Sequence, residues 1–232
     1  FSLSPNTIIK GGVLEEVEYP GTSFYYWKNK NSTSDLIIFG SQSPSQGQYE
    51  FANLILDVAE LFSVKRIYAV GGVPANIPHD ANPKPFAVVN SSRVKRHLKP
   101  YDIEIGMDYY GPTSMNGLIL GLAKQRNIEA LSLMGWVPCY ITEIPNPRVC
   151  ESILRVLTRM LSIDIDFSEI ESEVLYADKQ IGEFVSYIRE QNPDFFRHIG
   201  SLEKGIRLGT PEEDRKKFFK EIEEFLRNQH GG

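Results

Sequence analysis

The sequence predicts an α/β protein built on a mostly parallel sheet and followed by a helical appendage. Three observations predict it. Leu36 to Gly72 reads LIIFGSQSPSQGQYEFANLILDVAELFSVKRIYAVGG: an apolar run, a polar turn, an amphipathic stretch and a second apolar run ending on Gly71 and Gly72. Near-continuous apolar runs are expected of strands covered on both faces, so this segment predicts a right-handed βαβ crossover. Gly111 to Trp136 repeats that grammar, with GPTSMNG as the turn, Leu118 to Arg126 as the helix and Glu129 to Met134 as the strand. From Asp166 onward the pattern changes to helical periodicity alone. The expected division is therefore a core over 1–165 and an appendage over 166–232.

Taken in order, Gly12 to Glu18 alternates weakly and Ser23 to Trp27 is aromatic-rich, with Pro20-Gly21 between them; a hairpin is expected. Asn29 to Ser34 is a polar loop. Residues 73–85 (VPANIPHDANPKP) hold four prolines and read as a loop past a strand end. Phe86 to Val89 is a short strand, Ser91 or Ser92 caps a short helix through Leu98, and Tyr101 to Ile105 is a further strand. Gly117 and Gly121 sit in the second helix, where each costs roughly 0.5–1 kcal/mol relative to alanine; close packing on the sheet is the expected reason. Pro147 opens a helix to about Leu161 with Val149, Ile153, Val156, Leu157 and Met160 on one face. Asp166 and Glu169 fit a capping box ahead of a stripe of Ile170, Val174, Ala177, Ile181, Phe184 or Val185, and Ile188, a helix of roughly 30–35 Å. Asn192-Pro193 interrupts it. Thr210-Pro211-Glu212-Glu213 opens a last helix with Phe218, Phe219, Ile222, Phe225 and Leu226 on its apolar face.

Composition narrows the function. The 232 residues are 41% hydrophobic and 24% charged with a net charge of −5, an ordinary globular balance that lacks the dominant basic face of a nucleic-acid binder. No apolar run approaches the roughly 20 residues that span a bilayer, and the start carries no signal-peptide pattern. Two cysteines, Cys139 and Cys150, are too few for a disulfide framework, which makes a reducing cytoplasm the expected compartment. The chain starts at Phe1 and ends at Gly231-Gly232, so either terminus reads as native or as cut.

Two turns are the candidate ligand sites, because ligands of open α/β sheets bind beyond strand carboxyl ends. The first holds Ser41, Gln42, Ser43, Gly47 and Gln48; the second holds Gly111, Asn116 and Gly117. A helix amino end favours an anion. Against a phosphate, the first turn has neither a P-loop lysine nor the dinucleotide glycines, and Glu50 adds negative charge. Cys139 follows a strand end, yet no histidine lies near it in sequence to activate it; Cys150 reads as a small core filler. Asp164, Asp166 and Ser168 begin a calcium-loop spacing that fails at Glu169 and Leu175. Arg93, Lys95, Arg96, His97 and Lys99 form a basic helix face, solvated or meeting an acidic partner. Tyr25, Tyr26 and Trp27 read as sheet packing or as an interface. No catalytic residue, metal or cofactor is expected.

Several stretches together resemble the proteasome assembly chaperone 2 family, widespread in archaea and also grouped in an ATP-grasp-like superfamily. They are Phe24 to Asn29 (FYYWKN), Asp35 to Glu60, Arg66 to Gly72 (RIYAVGG), Gly111 to Ile141 and Asn146 to Glu173. The resemblance covers roughly residues 10–190. It implies a three-layer α/β/α sandwich of phosphorylase/hydrolase-like type, homo-oligomers, and an assembly factor that contacts proteasome α-subunits without catalysis. Two departures stand out: the family's opening strand with its P-G-x-G-x-x-G turn is missing, and the chain ends Asn228-Gln229-His230-Gly231-Gly232 rather than in a hydrophobic–tyrosine–any-residue tail. The alternative reading is a nucleoside- or nucleotide-binding protein or enzyme, motivated by the two turns and the fold analogy.

Overall fold

The structure, a computed structural model, describes residues 6–18, 21–30, 32, 34–75, 77–106, 108–138, 141 and 145–191. The last predicted helix, from Thr210, and Cys139 lie outside the described residues.

Strands β1 (Asn6–Lys10) and β2 (Val13–Glu18) form an antiparallel hairpin. Its loop is Gly11 and Gly12, with φ of 59° and 80°. Two positive φ angles give the tight turn whose twist matches paired strands, and other residues reach it only with strain. Ile9 lies opposite Leu14 and Ile8 opposite Glu16, so Glu15 is one residue extra, a bulge. Lys10 Nζ sits 2.8 Å from the Glu15 carboxylate. Strands β3 (Ser23–Trp27) and β4 (Leu36–Gly40) form a second antiparallel pair, with Phe24 opposite Phe39 and Tyr25 opposite Ile38. The expected hairpin between Gly12–Glu18 and Ser23–Trp27 is thus replaced by two others. The Gly-Gly pair closes β1 on β2 with a shorter loop than any β2–β3 connection. The polar run after Trp27 turns the chain for β4: Asp35 accepts from Tyr26 Oη (2.6 Å) and from the Asn29 amide (3.1 Å).

Next come α1 (Gln48–Leu61), β5 (Arg66–Ala75), β6 (Phe86–Val89), α2 (Ser92–His97), a 3-10 turn (Lys99–Tyr101) and β7 (Glu104–Ile105). They are followed by α3 (Met115–Gln125), β8 (Glu129–Pro138), α4 (Pro147–Leu161) and α5 (Ser168–Gln191). A four-stranded sheet runs in the order β5-β8-β6-β7. β6 is parallel to β7 and antiparallel to β8. The class is the α/β one expected, a mixed sheet with helices. The single crossover expected over Leu36 to Gly72 is not: strand, helix and strand are present, but β4 pairs with β3 and is not in the sheet of β5. β5 also runs on to Ala75, through residues read above as loop. It stands at the end of the strand order, the place in a sheet where proline is found.

The described residues divide into two compact units. The first takes the chain up to Gly71, Lys84–Met134 and Ser152–Asp166; the second takes Gly72–Pro83, Gly135–Glu151 and the chain from Phe167. In the first, Ala52, Leu56 and Ala59 of α1 join Ile119, Leu120, Leu122 and Ala123 of α3, with Ile128 and Ala130, in one buried cluster. Asn90, just past β6, extends the β6–β8 ladder with its side chain: Nδ2 donates to Ile128 O (2.8 Å) and Oδ1 accepts from the Ala130 amide (3.1 Å). Asn29, nearly fully buried, donates to Leu161 O at the end of α4 (2.9 Å). In the second unit, β8 carries Trp136. A Cβ on Gly72 would meet Val137 Cγ2 at 2.9 Å, so a larger residue there would displace that side chain. Arg148 of α4 makes a two-pronged ion pair with Asp178 of α5. Val174, Ala177, Ile181 and Val185 of α5 are buried, as their spacing predicts.

Three helices end in the same way. After α1, α3 and α4 come Ser63, Asn127 and Ser162 at φ of 53°, 57° and 54°. Each of these donates its N–H three residues back, to Glu60, Lys124 and Arg159. The next residue, Val64, Ile128 or Ile163, donates five back, to Ala59, Ala123 and Thr158. This is the Schellman closure with its apolar follower, built without glycine. At the sheet's other end Glu129 accepts from Arg66 Nε (3.0 Å), while Arg93 Nε lies 2.9 Å from its second oxygen without an aligned hydrogen bond. The Arg66 hydrogen bond holds the Glu129 carboxyl below its ordinary 4.5.

Two outcomes follow from these geometries. Ser63→Gly removes a left-handed strain of about 1–2 kcal/mol but gives back part of it as unfolded-chain entropy. A net gain of about 0.5 kcal/mol is expected in urea unfolding, with a smaller gain for Asn127→Gly because asparagine tolerates that conformation. A carboxyl with a depressed folded pKa contributes stability that is present above its ordinary pKa and lost as pH falls through the folded value. Unfolding midpoints should therefore fall below about pH 4.5, and Glu129→Gln should flatten that acid limb while lowering stability at pH 7.

Candidate functional site

The first turn links β4 to α1, and the side chains of Ser41 and Gln48 make hydrogen bonds there. Ser41 Oγ lies 3.1 Å from Thr22 Oγ1 and donates to Gln42 O at 3.0 Å. Pro44 is fully buried, and Gln48 Nε2 donates to its carbonyl at 3.2 Å. Gly47, at φ 67°, occupies the N-cap of α1 without a side chain to cap it. Gln42, Ser43 and Gly47 are exposed. Glu50 stands in the first turn of α1, where its charge meets the dipole that an anion would use.

The second turn leads into α3. Tyr109 Oη donates to Pro112 O (3.0 Å), and Ser114 Oγ caps the helix by accepting from the Gly117 amide (3.3 Å). Asn116 is the structural pin: Nδ2 donates to Val70 O of β5 and to Ser132 Oγ of β8, each at 3.2 Å. Ser132 is buried, so this hydrogen bond supplies a hydroxyl that water does not reach. The glycines have local reasons. A Cβ at Gly111 would fall 2.6 Å from Tyr109 Oη, and one at Gly117 would run into Thr113 Oγ1. Close packing of Gly117 is against its own turn, not the sheet. Gly121 corrects the expectation outright: it is exposed, and a Cβ there would meet nothing within 4 Å.

The bonds of the two turns run to different neighbours, Thr22 and Pro44 for one, Val70 and Ser132 for the other. Neither turn contains a lysine, arginine or histidine. Among the described residues no group of three or more His, Cys, Asp or Glu could hold a metal ion, and no helix is long and apolar enough to cross a membrane. Cys150 is not a core filler: it is exposed on α4. Partial desolvation, with Glu173 adding to it, pushes its thiol up, away from the thiolate a nucleophile needs. Tyr26 and Asp35 shift in opposite senses, the phenol up and the carboxyl down, because their hydrogen bond favours the neutral phenol and the charged carboxylate.

What the surface of the first unit offers instead is apolar. Ile9, Val13 and Leu14 of the first hairpin are exposed, as are Phe24, Tyr25, Tyr26, Trp27 and Ile38 of the second, and Tyr49, Leu54, Leu61 and Phe62 in and after α1. Only the aromatics of β3 were legible as an interface. Leu54, Leu61 and Phe62 lie off the buried stripe of Ala52, Leu56 and Ala59, and that offset was the available signal.

This is a mixed-sheet α/β chain that presents exposed apolar side chains over its first 62 residues. The chain belongs to the PAC2 family, whose model matches residues 2–185. It is 22% identical over 192 residues to the uncharacterized protein MJ1210 of Methanocaldococcus jannaschii, covering 82% of this chain and 70% of that one. The fold is that of a PAC2 family protein from Streptomyces avermitilis (TM-score 0.67, 21% identity, 84% of this chain and 78% of that one). It is also that of PbaB of Pyrococcus furiosus, an archaeal proteasome activator (TM-score 0.65, 24% identity, 79% and 78%). The family match gives no support to the ATP-grasp-like grouping.

Asn116→Ala should cost about 1–3 kcal/mol, the penalty of stranding the buried Ser132 hydroxyl and one strand carbonyl. Gly121→Ala should gain roughly 0.5–1 kcal/mol. Paired thermal and urea unfolding of the two variants tests both assignments, since in a merely polar turn Asn116→Ala would be nearly neutral, and for a packed glycine Gly121→Ala would destabilise.

Proposed function

We propose that this chain is a non-enzymatic, cytoplasmic assembly chaperone or scaffold that acts as a homo-oligomer and binds proteasome α-subunits. The observation that carries the reading is the run of exposed apolar side chains from Ile9 to Phe62, on a chain of the PAC2 family. Where such side chains adjoin in one patch they mark a protein interaction site. Two structural relatives from Pyrococcus furiosus point the same way: PbaB, and PbaA, an archaeal homolog of proteasome-assembly chaperone. Binding by surface complementarity needs no nucleophile, metal or phosphate cradle. The helical appendage of 166–232, set beyond a core of 1–165, and the strand-end loops would share the grip.

Pull-down of archaeal proteasome α-subunits by the full chain should succeed and should weaken when Tyr49, Leu54 and Leu61 are replaced together by serine. Absence of capture by the unmodified chain at micromolar concentrations would sink the α-subunit assignment.

A further inference from the structure

The edge of β3 has a feature that its pairing with β4 leaves open. Among the described residues, Ser23–Trp27 pairs with β4 alone, in a two-stranded sheet. Two-stranded ribbons are marginal in water, and three or more strands are needed to stand alone. Natural edge strands are blunted by lysine, proline, bulges or inward charges. Ser23-Phe24-Tyr25-Tyr26-Trp27 has no charge and no proline, and its register against β4 runs without a shift. Both faces of the ribbon stay open at this edge: Phe24 is 43% exposed and Tyr26 68%, while on the other face Trp27 is 41%, Tyr25 63% and Ile38, the cross-strand neighbour of Tyr25, 53%.

We propose that β3 pairs antiparallel with β3 of a second copy, about a twofold axis at Tyr25, to give a continuous four-stranded sheet β4-β3-β3-β4. The proposal deepens the homo-oligomeric part of the reading above and does not depend on proteasome binding. The occupant is a second copy because the strand is its own complement. Centred on Tyr25, Ser23 faces the other copy's Trp27, Phe24 faces its Tyr26 and Tyr25 faces Tyr25. Every such pair is uncharged, and cross-strand aromatic pairs are the favourable kind. Lys28 of each copy falls opposite the other copy's Thr22, so like charges do not meet. The four aromatics, taken at roughly 200 Å² each, leave on the order of 400 Å² open. That is about half of the ~800 Å² per partner of a standard interface, and the backbone edge, Ile38 and the flanking Thr22 and Lys28 supply the rest. A twofold contact is isologous and closes on itself, so an uncharged edge need not lead to open-ended aggregation.

The test uses the full chain carrying Cys139→Ser and Cys150→Ser. Directly opposite residues have Cβ atoms roughly 4.5–5.5 Å apart, close to the disulfide range of about 3.5–4.5 Å. Tyr25→Cys should therefore give a covalent dimer under mild oxidant. Tyr26→Cys, equally exposed on the other face, has its symmetry mate on the diagonal at roughly 7–8 Å and should not. In light scattering, Tyr25→Lys should halve the mass of the unsubstituted chain, with the far-UV circular dichroism unchanged. A monomeric unsubstituted chain, a mass unchanged by Tyr25→Lys, or equal cross-linking at Tyr25 and Tyr26 would overturn the proposal. Each of these leaves α-subunit capture free to succeed or fail on its own.

Discussion

The first unit depends on how closely α1 and α3 approach. Ala52, Ala59 and Ala123 are the residues that set that distance, and Ala52 and Ala123 have no exposure at all. Larger side chains there would push the helices apart and open the cluster that Leu56, Ile119 and Leu122 fill. Arg126, at the end of α3, guards the rim of the same contact. It reaches Asp57 (2.6 Å), Glu60 (3.2 Å) and the Asn53 side chain (2.6 Å) on α1. The pairs are partly exposed and so contribute modestly, but they are specific to one register of helix on helix. The apolar contact provides the energy and the guanidinium fork provides the alignment.

The chain also handles its helix ends with one repeated device. Three helices stop at a serine or asparagine in the left-handed conformation, and each stop is followed by a β-branched residue that turns back toward the helix just ended. Glycine would make each stop easier. A serine or asparagine makes the unfolded chain less disordered and the direction of exit more definite. Val64 and Ile128 lead directly into β5 and β8, so the aim of the two long strands is set at these closures.

How much of this was legible in the sequence differs by kind of signal. Helices with a clean apolar stripe and a recognisable start were read nearly to the residue: α1 from its amphipathic run, α2 from Ser91, α4 from Pro147, and α5 from its 3-4 spacing. Strand pairing was not. Whether β3 pairs with β2 or with β4 depends on which turn closes first, and the Gly11-Gly12 loop, with the bonds of Asp35 beyond it, outweighed the turn signal at Pro20-Gly21. β5 ran past Gly72 because proline is tolerated at a sheet edge, a tertiary fact that no local pattern records. Within the second candidate turn two residues have structural roles that no local pattern shows: Asn116 is a cross-brace between strands, and Gly117 accommodates Thr113. Gly121 was misread because a sequence shows the cost of a helical glycine but not which way it faces.

The two tryptophans have a consequence of a different sort. Trp27 lies on the open ribbon of the first unit and Trp136 on the part of β8 that belongs to the second. They are the whole tryptophan complement of the chain, so its intrinsic fluorescence is a two-channel signal with one emitter in each unit. Replacing either indole by phenylalanine leaves a single-colour reporter of the other. The order in which the two units lose their structure can then be followed without attaching any label.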